Sequence, residues 1–141
     1  IRDRFTCVKF RTMVHEAERH GGAQLASADD DRIVRGLRWM RSTRADELPQ
    51  LFNVFRGQMS LVGPRPERPE LVADIVRRVP GYVRRNELPP GLTGLAQVSG
   101  RYHTDAEYKL GYDLQYLVNW SLVLDVEILG RTIWVVLTRR V

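Results

Sequence analysis

Residues 44–51 read Arg-Ala-Asp-Glu-Leu-Pro-Gln-Leu and place two adjacent carboxylates, Asp46 and Glu47, at the start of a predicted helix. Either Thr43 or Asp46 is a suitable N-cap for this helix. We favour Asp46, because Pro49 then falls within the first turn, where its missing N–H costs nothing. Both acids would lie at the positive end of the helix dipole, where free N–H groups can also hold a phosphate.

A second motif, Gly63-Pro64-Arg65-Pro66, predicts a rigid turn with a guanidinium at its centre, because the two prolines fix the backbone on both sides of Arg65. Adjacent carboxylates offer a nucleophile and a metal ligand side by side, and a fixed Arg neutralises phosphate charge. The combination suits phosphoryl chemistry at a metal-bound diphosphate. Taken singly, the acidic pair is more typical of a plain helix start than of a catalytic site, and Arg65 is equally compatible with a structural anchor.

The composition favours a folded domain that binds phosphate. The chain has 141 residues, 43% of them hydrophobic and 28% charged, which fits one globular domain. Its net charge is +5, and Arg outnumbers Lys by 20 to 2. This bias favours forked contacts with phosphate, so nucleotides, nucleic acid and anionic lipid headgroups are all candidates. Cys7 is the only cysteine, which excludes an intrachain disulfide.

Several functional classes are not supported by the motifs. The sequence has no Gly-rich loop of the G-x-x-x-x-G-K-[ST] type, no G-x-S-x-G and no zinc spacing. Exposed aromatic residues interleaved with basic ones, as single-stranded nucleic-acid binding requires, are not evident either. We therefore expect no nucleic-acid partner.

The distribution of turn signals predicts an α+β fold, a mostly helical single domain with a small hairpin or strand element. The capping box Thr104-Asp105-Ala106-Glu107 predicts a helix that starts at Asp105, and Ser121 is a suitable cap for the next helix. Gly57 marks the end of the helix that carries the acidic pair. The predicted elements are a short strand over 5–11, helices over 47–56 and 69–79, a turn-rich strand or hairpin within 86–100, and helices over 105–118 and 122–138.

The last predicted helix has an apolar face that includes Trp134, preceded by Trp120. This face is compatible with core packing and with binding in the plane of a membrane surface, where indole rings lie at the level of the headgroups. Asp125 and Glu127 interrupt the apolar run, so we do not expect a helix that spans the membrane.

Five blocks of the chain, in the same order, resemble the bacterial sugar transferases, the monotopic phosphoglycosyl transferases also called polyprenyl glycosylphosphotransferases. The resemblance covers nearly the whole chain, and the dyad Asp46-Glu47 lies at the start of the second block. The blocks are Lys9–Met13, Asp46–Asn53, Met59–Pro66, Pro90–Arg101 and Tyr112–Tyr116 with Asn119–Leu122.

The resemblance implies transfer of a sugar-1-phosphate from a nucleoside diphosphate sugar, with uridine the expected base, to polyprenyl phosphate. Asp46 would be the nucleophile and form a covalent phosphosugar intermediate, and Glu47 would bind magnesium (Mg²⁺). Asp113 matches a further family acid and is expected in the metal shell. The basic positions of the family motifs, expected to clamp phosphate, are Lys9, Arg41, Arg65 and Arg101.

The resemblance also implies a place in the cell, the cytoplasmic face of the bacterial inner membrane, where the enzyme would initiate lipid-linked glycan or exopolysaccharide synthesis. Family members normally carry a hydrophobic re-entrant helix ahead of this region, so we expect residues 1–141 to be the catalytic domain of a longer, monotopic protein. A homo-oligomer is compatible with the sequence. The alternative is a catalytically idle module that binds a membrane surface or a nucleotide; nucleotide release from the donor distinguishes the two.

Overall fold

The computed structural model describes residues 4–19, 30–99 and 105–138. It is the expected mostly helical α+β arrangement, with six α-helices and two short strands in the described residues. The helices are α1 (Arg38–Ser42), α2 (Leu51–Phe55), α3 (Pro69–Arg78), α4 (Leu95–Ser99), α5 (Ala106–Asn119) and α6 (Leu122–Leu137); the strands are β1 (Ser60–Val62) and β2 (Gly91–Thr93). Three 3₁₀ helices cover Arg35–Leu37, Ala45–Gln50 and Tyr82–Glu87.

The two strands pair in parallel, with Ser60 opposite Gly91 and Val62 opposite Thr93. Of the two alternatives predicted within 86–100, the strand is present and the hairpin is not. Parallel neighbours need a crossover, and α3 with the 3₁₀ helix Tyr82–Glu87 supplies it.

Three glycines allow the backbones to cross closely at the end of β1. A Cβ on Gly63 would fall on the carbonyl oxygen of Pro89, and a Cβ on Gly91 would fall on the nitrogen of Gly63. A Cβ on Gly94 would likewise meet the carbonyl oxygen of Gly63. This close approach fixes where the chain enters the turn that carries Arg65.

Two small hydrophobic clusters hold the helices around the sheet. In the first, Val62 of β1 packs with Leu95, Tyr116 and Ile128 from α4, α5 and α6. In the second, three residues join α5 to the end of α3 and the 3₁₀ helix that follows: Val79, Tyr82 and Leu110. The phenol of Tyr116 donates to Asp125 Oδ1 (2.6 Å), which gives the buried hydroxyl a partner.

The predicted strand over 5–11 is absent, and the segment is hydrogen-bonded instead to α2 and to the 3₁₀ helix that carries the acidic pair. Asn53 accepts from the N–H of Val8 (3.1 Å) and donates to the carbonyl of Thr6 (2.9 Å). The N–H of Phe10 donates to the carbonyl of Asp46 (3.0 Å). Because a side chain and a helix carbonyl supply these partners, no neighbouring strand is needed.

The apolar stretch Leu95–Val98 forms helix α4, whereas the strand in this region is three residues long and ends at Thr93. The carbonyl of Gly94 accepts from the N–H groups of Gln97 (3.0 Å) and Val98 (3.2 Å), which starts the helix as soon as the pairing with β1 ends.

The helices that begin with clear caps follow the prediction to within one or two residues. The cap of α5 is Asp105, which accepts from the N–H of Ala106 (2.6 Å), and Thr104, the cap in the predicted capping box, lies outside the described residues. Ser121 accepts from the N–H of Leu124 (3.2 Å) in the first turn of α6. Helix α3 begins at Pro69, as predicted. Within the described residues, no helix is both long enough and apolar enough to cross a bilayer.

The glycine crossing makes a prediction about stability. Gly63→Ala should lower the free energy of unfolding by about 1–3 kcal/mol, because the new methyl group displaces backbone that cannot move independently. Gly111→Ala is the control: it lies within α5, a Cβ there meets no heavy atom within 4 Å, and it should be neutral or stabilising by about 0.5–1 kcal/mol. Equal unfolding free energies for the two variants, measured in urea, would contradict the crossing.

Candidate active site

The acidic pair lies in the 3₁₀ helix Ala45–Gln50, which continues directly into α2. Arg44 has φ 55° and turns the chain sharply between α1 and this helix, and its carbonyl accepts from the N–H of Glu47 (3.0 Å). Asp46 is therefore inside the helix, and the prediction that it is the N-cap was wrong. The end of α2 at Gly57, which has φ 72°, is as predicted.

Glu47 is the centre of the site's ion pairs. Its carboxylate receives the Arg65 guanidinium in a forked contact, with Arg65 Nη1 3.0 Å from Oε2 and Nη2 on Oε1. Lys9 Nζ, in the N-terminal segment, lies 3.2 Å from the same Oε1. Three elements that are distant in sequence therefore converge on one side chain, which is 7% exposed.

These contacts decide the charge of Glu47. Burial raises its pKa, but the hydrogen bonds and charge of Arg65, followed by the charge of Lys9, outweigh burial and lower the pKa to about 2. Glu47 is consequently ionised at neutral pH, as both metal binding and ion pairing require.

Asp46 has a different environment, although it adjoins Glu47. Burial raises its pKa, the charge of Glu47 raises it further, and Lys9 and Arg41 oppose both effects. Within residues 4–19, 30–99 and 105–138, no basic side chain forms an ion pair with its carboxylate. The site thus contains one carboxylate locked between cations and, beside it, a second that is close to positive charge but not paired with it. The second has the character expected of a nucleophile.

The predicted phosphate-binding residues divide into three groups. Lys9 and Arg65 are brought together at the dyad, on Glu47. Arg41 lies close enough to affect the pKa of Asp46, and its Nη1 donates to Thr12 Oγ1 (3.4 Å). Arg101 lies outside the described residues.

Asp113, which was expected in the metal shell, forms an ion pair with Arg85. Its Oδ2 accepts from Arg85 Nε (2.9 Å), and its side chain is 2% exposed. Arg85 in turn donates from Nη2 to the backbone carbonyl of Arg65 (2.9 Å), so Asp113 is connected to the dyad through two arginines.

The carboxylates of the site decide whether a magnesium ion fits there. The described residues contain no group of three or more His, Cys, Asp and Glu side chains that could hold a metal ion by themselves. Magnesium is, however, usually bound by one or two carboxylates together with phosphate oxygens and water. Glu47 is ionised and adjoins a second carboxylate, Asp46, so the pair fits a magnesium ion that arrives with a diphosphate.

Two residues of the site were missed as functional candidates. Asn53 is 1% exposed and ties the N-terminal segment that carries Lys9 to α2. A polar residue within the helix next to the dyad was a usable signal for it. Arg85 follows another arginine in a basic stretch, and nothing in the sequence separates the buried one from the exposed one.

The comparisons with known proteins agree with the motifs. Residues 2–139 match the sequence profile of the family described as bacterial sugar transferase. A UDP-N-acetylgalactosamine-undecaprenyl-phosphate N-acetylgalactosaminephosphotransferase of Aeromonas hydrophila is 44% identical over 137 residues, covering 95% of this chain and 32% of that protein.

Two further relatives carry different sugars in their names. A UDP-glucose:undecaprenyl-phosphate glucose-1-phosphate transferase of Caulobacter vibrioides is 42% identical, with 95% of this chain and 52% of the relative covered. An undecaprenyl-phosphate galactose phosphotransferase of Salmonella typhimurium is 40% identical, with 96% of this chain and 31% of the relative covered. The chain therefore spans between about a third and a half of the length of these three proteins.

The low pKa of Glu47 predicts how stability depends on pH. The pKa in the folded protein is about 2, against an ordinary value of 4.5. The stabilisation is therefore complete above about pH 4.5 and is lost as pH falls toward 2, an effect of roughly 3 kcal/mol. The free energy of unfolding of the unmodified protein should fall more steeply below about pH 5 than that of Glu47→Gln. Parallel pH profiles in denaturant titrations would contradict the ion pairs at Glu47.

Proposed function

The chain belongs to the bacterial sugar transferase family, and on that premise we propose that it moves a sugar-1-phosphate from a nucleoside diphosphate sugar to polyprenyl phosphate. The observation that carries the proposal is that Lys9 and Arg65 hold Glu47 in place, whereas the adjacent Asp46 has no ion pair with any basic side chain that the structure describes. The names of the relatives support undecaprenyl phosphate as the acceptor and, in two cases, a UDP-sugar as the donor.

In the first step, a carboxylate oxygen of Asp46 attacks the phosphorus that carries the sugar. The bond from this phosphorus to the bridging oxygen of the diphosphate breaks, and a nucleoside monophosphate leaves with that oxygen. An aspartyl phosphosugar remains. The raised pKa of Asp46 makes its carboxylate more basic than an ordinary aspartate and correspondingly more nucleophilic.

The basic residues stabilise the charge that moves during this step. Lys9 and Arg65 face the dyad, and Arg41 lies within electrostatic reach of Asp46. When a diphosphate is present, these three side chains are placed to share it with the carboxylates, which favours the transition state in which negative charge accumulates on the leaving nucleotide. Arg101 belongs to the same proposed set.

In the second step, an oxygen of polyprenyl phosphate attacks the phosphorus of the intermediate. The acyl phosphate bond to Asp46 breaks, the carboxylate is regenerated, and the sugar leaves on a polyprenyl diphosphate. Charges balance without an external oxidant or reductant.

Magnesium is the proposed cofactor. When bound, it would neutralise diphosphate charge and polarise the phosphorus–oxygen bond. Glu47 would hold it, and its orientation is fixed beforehand by Arg65 and Lys9. The proposed donor is a UDP-sugar, and the sugar is left open because the relatives' names differ in it.

Access to a lipid acceptor requires contact with a membrane, and the proposed contact surface is apolar and exposed. Next to the dyad, Leu48, Phe52 and Phe55 are 57%, 64% and 88% exposed, and their spacing places them along one side of consecutive helical turns. The outward side of α6 continues the pattern, with Leu122, Val126, Ile133, Trp134 and Leu137 exposed. We place these stripes at the cytoplasmic face of the inner membrane.

The nucleophile assignment is tested by steady-state release of nucleoside monophosphate from a UDP-sugar, with magnesium and polyprenyl phosphate present. Asp46→Asn should lower the rate by at least about a thousandfold, because an amide oxygen is a far weaker nucleophile than a carboxylate. Asp74→Asn, on the exposed side of α3, is the matched control and should be unchanged. Turnover by Asp46→Asn at the control rate would remove Asp46 from the reaction. Release of no nucleotide by the unmodified chain would instead favour an idle binding module.

The membrane contact is tested by co-sedimentation with vesicles of phosphatidylglycerol and phosphatidylcholine. The double variant in which serine replaces both Phe52 and Phe55 should bind vesicles at least roughly tenfold more weakly. It lacks two large apolar side chains whose transfer from water into the membrane surface would favour binding. Tyr108→Ser removes an aromatic ring that is 69% exposed on α5, outside both stripes, and should bind as the unmodified protein does. Equal losses in both variants would argue against a membrane contact at α2.

A further inference from the structure

Arg85 joins helix α5 to the turn that carries Arg65. Its side chain is 4% exposed, and its three polar groups all have partners. Nε donates to Asp113 Oδ2 (2.9 Å), Nη1 to the Tyr82 hydroxyl (2.7 Å) and Nη2 to the carbonyl oxygen of Arg65 (2.9 Å). Its guanidinium carbon also lies 4.9 Å from the centroid of the Tyr82 ring. A buried side chain with this many fixed contacts holds one orientation.

The turn that Arg85 reaches has few other attachments. Arg65 lies outside every strand and helix, and the prolines on each side of it have no N–H to donate. The carbonyl of Pro64 accepts from the N–H of Gly91 (2.8 Å), and the carbonyl of Arg65 accepts from Arg85. Two successive carbonyls are thus held from β2 and from Arg85, and the Arg65 side chain extends from that point to Glu47.

We propose that Arg85 and Asp113 are a positioning pair that holds the Arg65 turn, so that the Arg65 guanidinium stays on Glu47 beside the nucleophile. The role in catalysis rests on the proposed function; the mechanical link does not. Asp113 acts through Arg85 and does not bind magnesium, which replaces the assignment that the family resemblance implies for it.

The charges around the pair support this role. Arg85 Nη1 lies 3.6 Å from Glu67 Oε1, and Lys109 Nζ lies 3.3 Å from the same oxygen. Two acids and two bases therefore neutralise one another in a cluster whose centre, the Arg85–Asp113 pair, is buried. Buried ion pairs seldom add net stability, because the desolvation of the charges offsets their attraction. A contribution to placement accounts for the cluster better than a contribution to stability does.

The test is a double-mutant cycle with four proteins: unmodified, Asp113→Asn, Arg65→Lys and the double variant. Asparagine keeps the shape of Asp113 and an oxygen that can accept from Arg85, and it removes the charge. Each single change should lower kcat for nucleotide release by about ten- to a hundredfold. The double variant should have the same kcat as Arg65→Lys. Once lysine replaces Arg65, there is no guanidinium left for Asp113 to position, so the second substitution should cause no further loss.

Two activity results would overturn the proposal. One is multiplication of the two losses in the double variant, which would show that Asp113 acts independently of Arg65. The other is an increase in the magnesium concentration needed for half-maximal activity that is seen in Asp113→Asn but not in Arg65→Lys. That result would return Asp113 to the metal shell. Arg84→Met is the control: it removes the charge of the exposed arginine next to Arg85, which pairs with Glu87 outside the cluster, and it should retain activity to within about twofold.

The same four proteins give a second cycle that needs no substrate. In urea unfolding, the cost of Arg65→Lys should be smaller in the Asp113→Asn background than in the unmodified protein, because a loosened turn no longer holds the guanidinium on Glu47. Additive costs would overturn the link even if the enzyme is active. If the unmodified chain releases no nucleotide, the proposed function fails while this cycle still decides the link.

If Asp113→Asn folds poorly, a second variant tests the same link. Arg85→Met combined with Asp113→Leu replaces the ion pair by apolar groups of similar volume, an exchange that buried pairs often tolerate. This variant should still fold, less stably than the unmodified protein because the Tyr82 hydroxyl and the Arg65 carbonyl also lose their Arg85 partner, and it should lose activity about as Arg65→Lys does. Recovery of full activity together with stability would reduce the pair to a structural role.

Discussion

The contact on which the site depends is the forked ion pair between Arg65 and Glu47, completed by Lys9. It joins the turn after β1, the 3₁₀ helix of the dyad and the N-terminal segment at one buried carboxylate. It also separates the roles of two adjacent acids, since the clamped Glu47 has a pKa of about 2 while that of Asp46 is raised by burial and by its neighbour's charge. Adjacent carboxylates whose pKa values are shifted in opposite directions are suited to different chemical roles.

Much of the surrounding structure serves to bring these groups together. The close crossing at Gly63, Gly91 and Gly94 sets the direction of the Arg65 turn, and Arg85 holds its carbonyl. On the other side, Asn53 holds the segment that carries Lys9 against α2. Large apolar side chains remain exposed beside the dyad, on Leu48, Phe52 and Phe55. A site for a water-soluble substrate alone does not need these exposed apolar side chains, but they suit the phosphorylated lipid that is the proposed acceptor.

Local signals predicted the elements whose ends are encoded by single residues. Helix α6 begins at its Ser121 cap, α3 begins at Pro69, and α2 ends before Gly57, all of which follow from side-chain or backbone properties of the residues themselves. Elements that depend on distant partners were not predictable in this way. The segment over 5–11 alternates like a strand, yet its hydrogen bonds go to Asn53 and Asp46, and β1 and β2 pair across an intervening helix. For the site, the motifs identified Lys9, Glu47 and Arg65, but the ion pair of Asp113 with Arg85 depends on packing that spacing does not encode.

The proposed reaction requires that Asp46 becomes covalently bonded to phosphorus. Mass spectrometry of the peptide that contains Asp46 tests this, after rapid quenching of the protein with a UDP-sugar and magnesium in the absence of polyprenyl phosphate. We expect a mass increase equal to the sugar phosphate, located on Asp46, in proportion to the nucleotide released in the first turnover. Stoichiometric nucleotide release with an unmodified Asp46 peptide, or a modification on another residue, would contradict it.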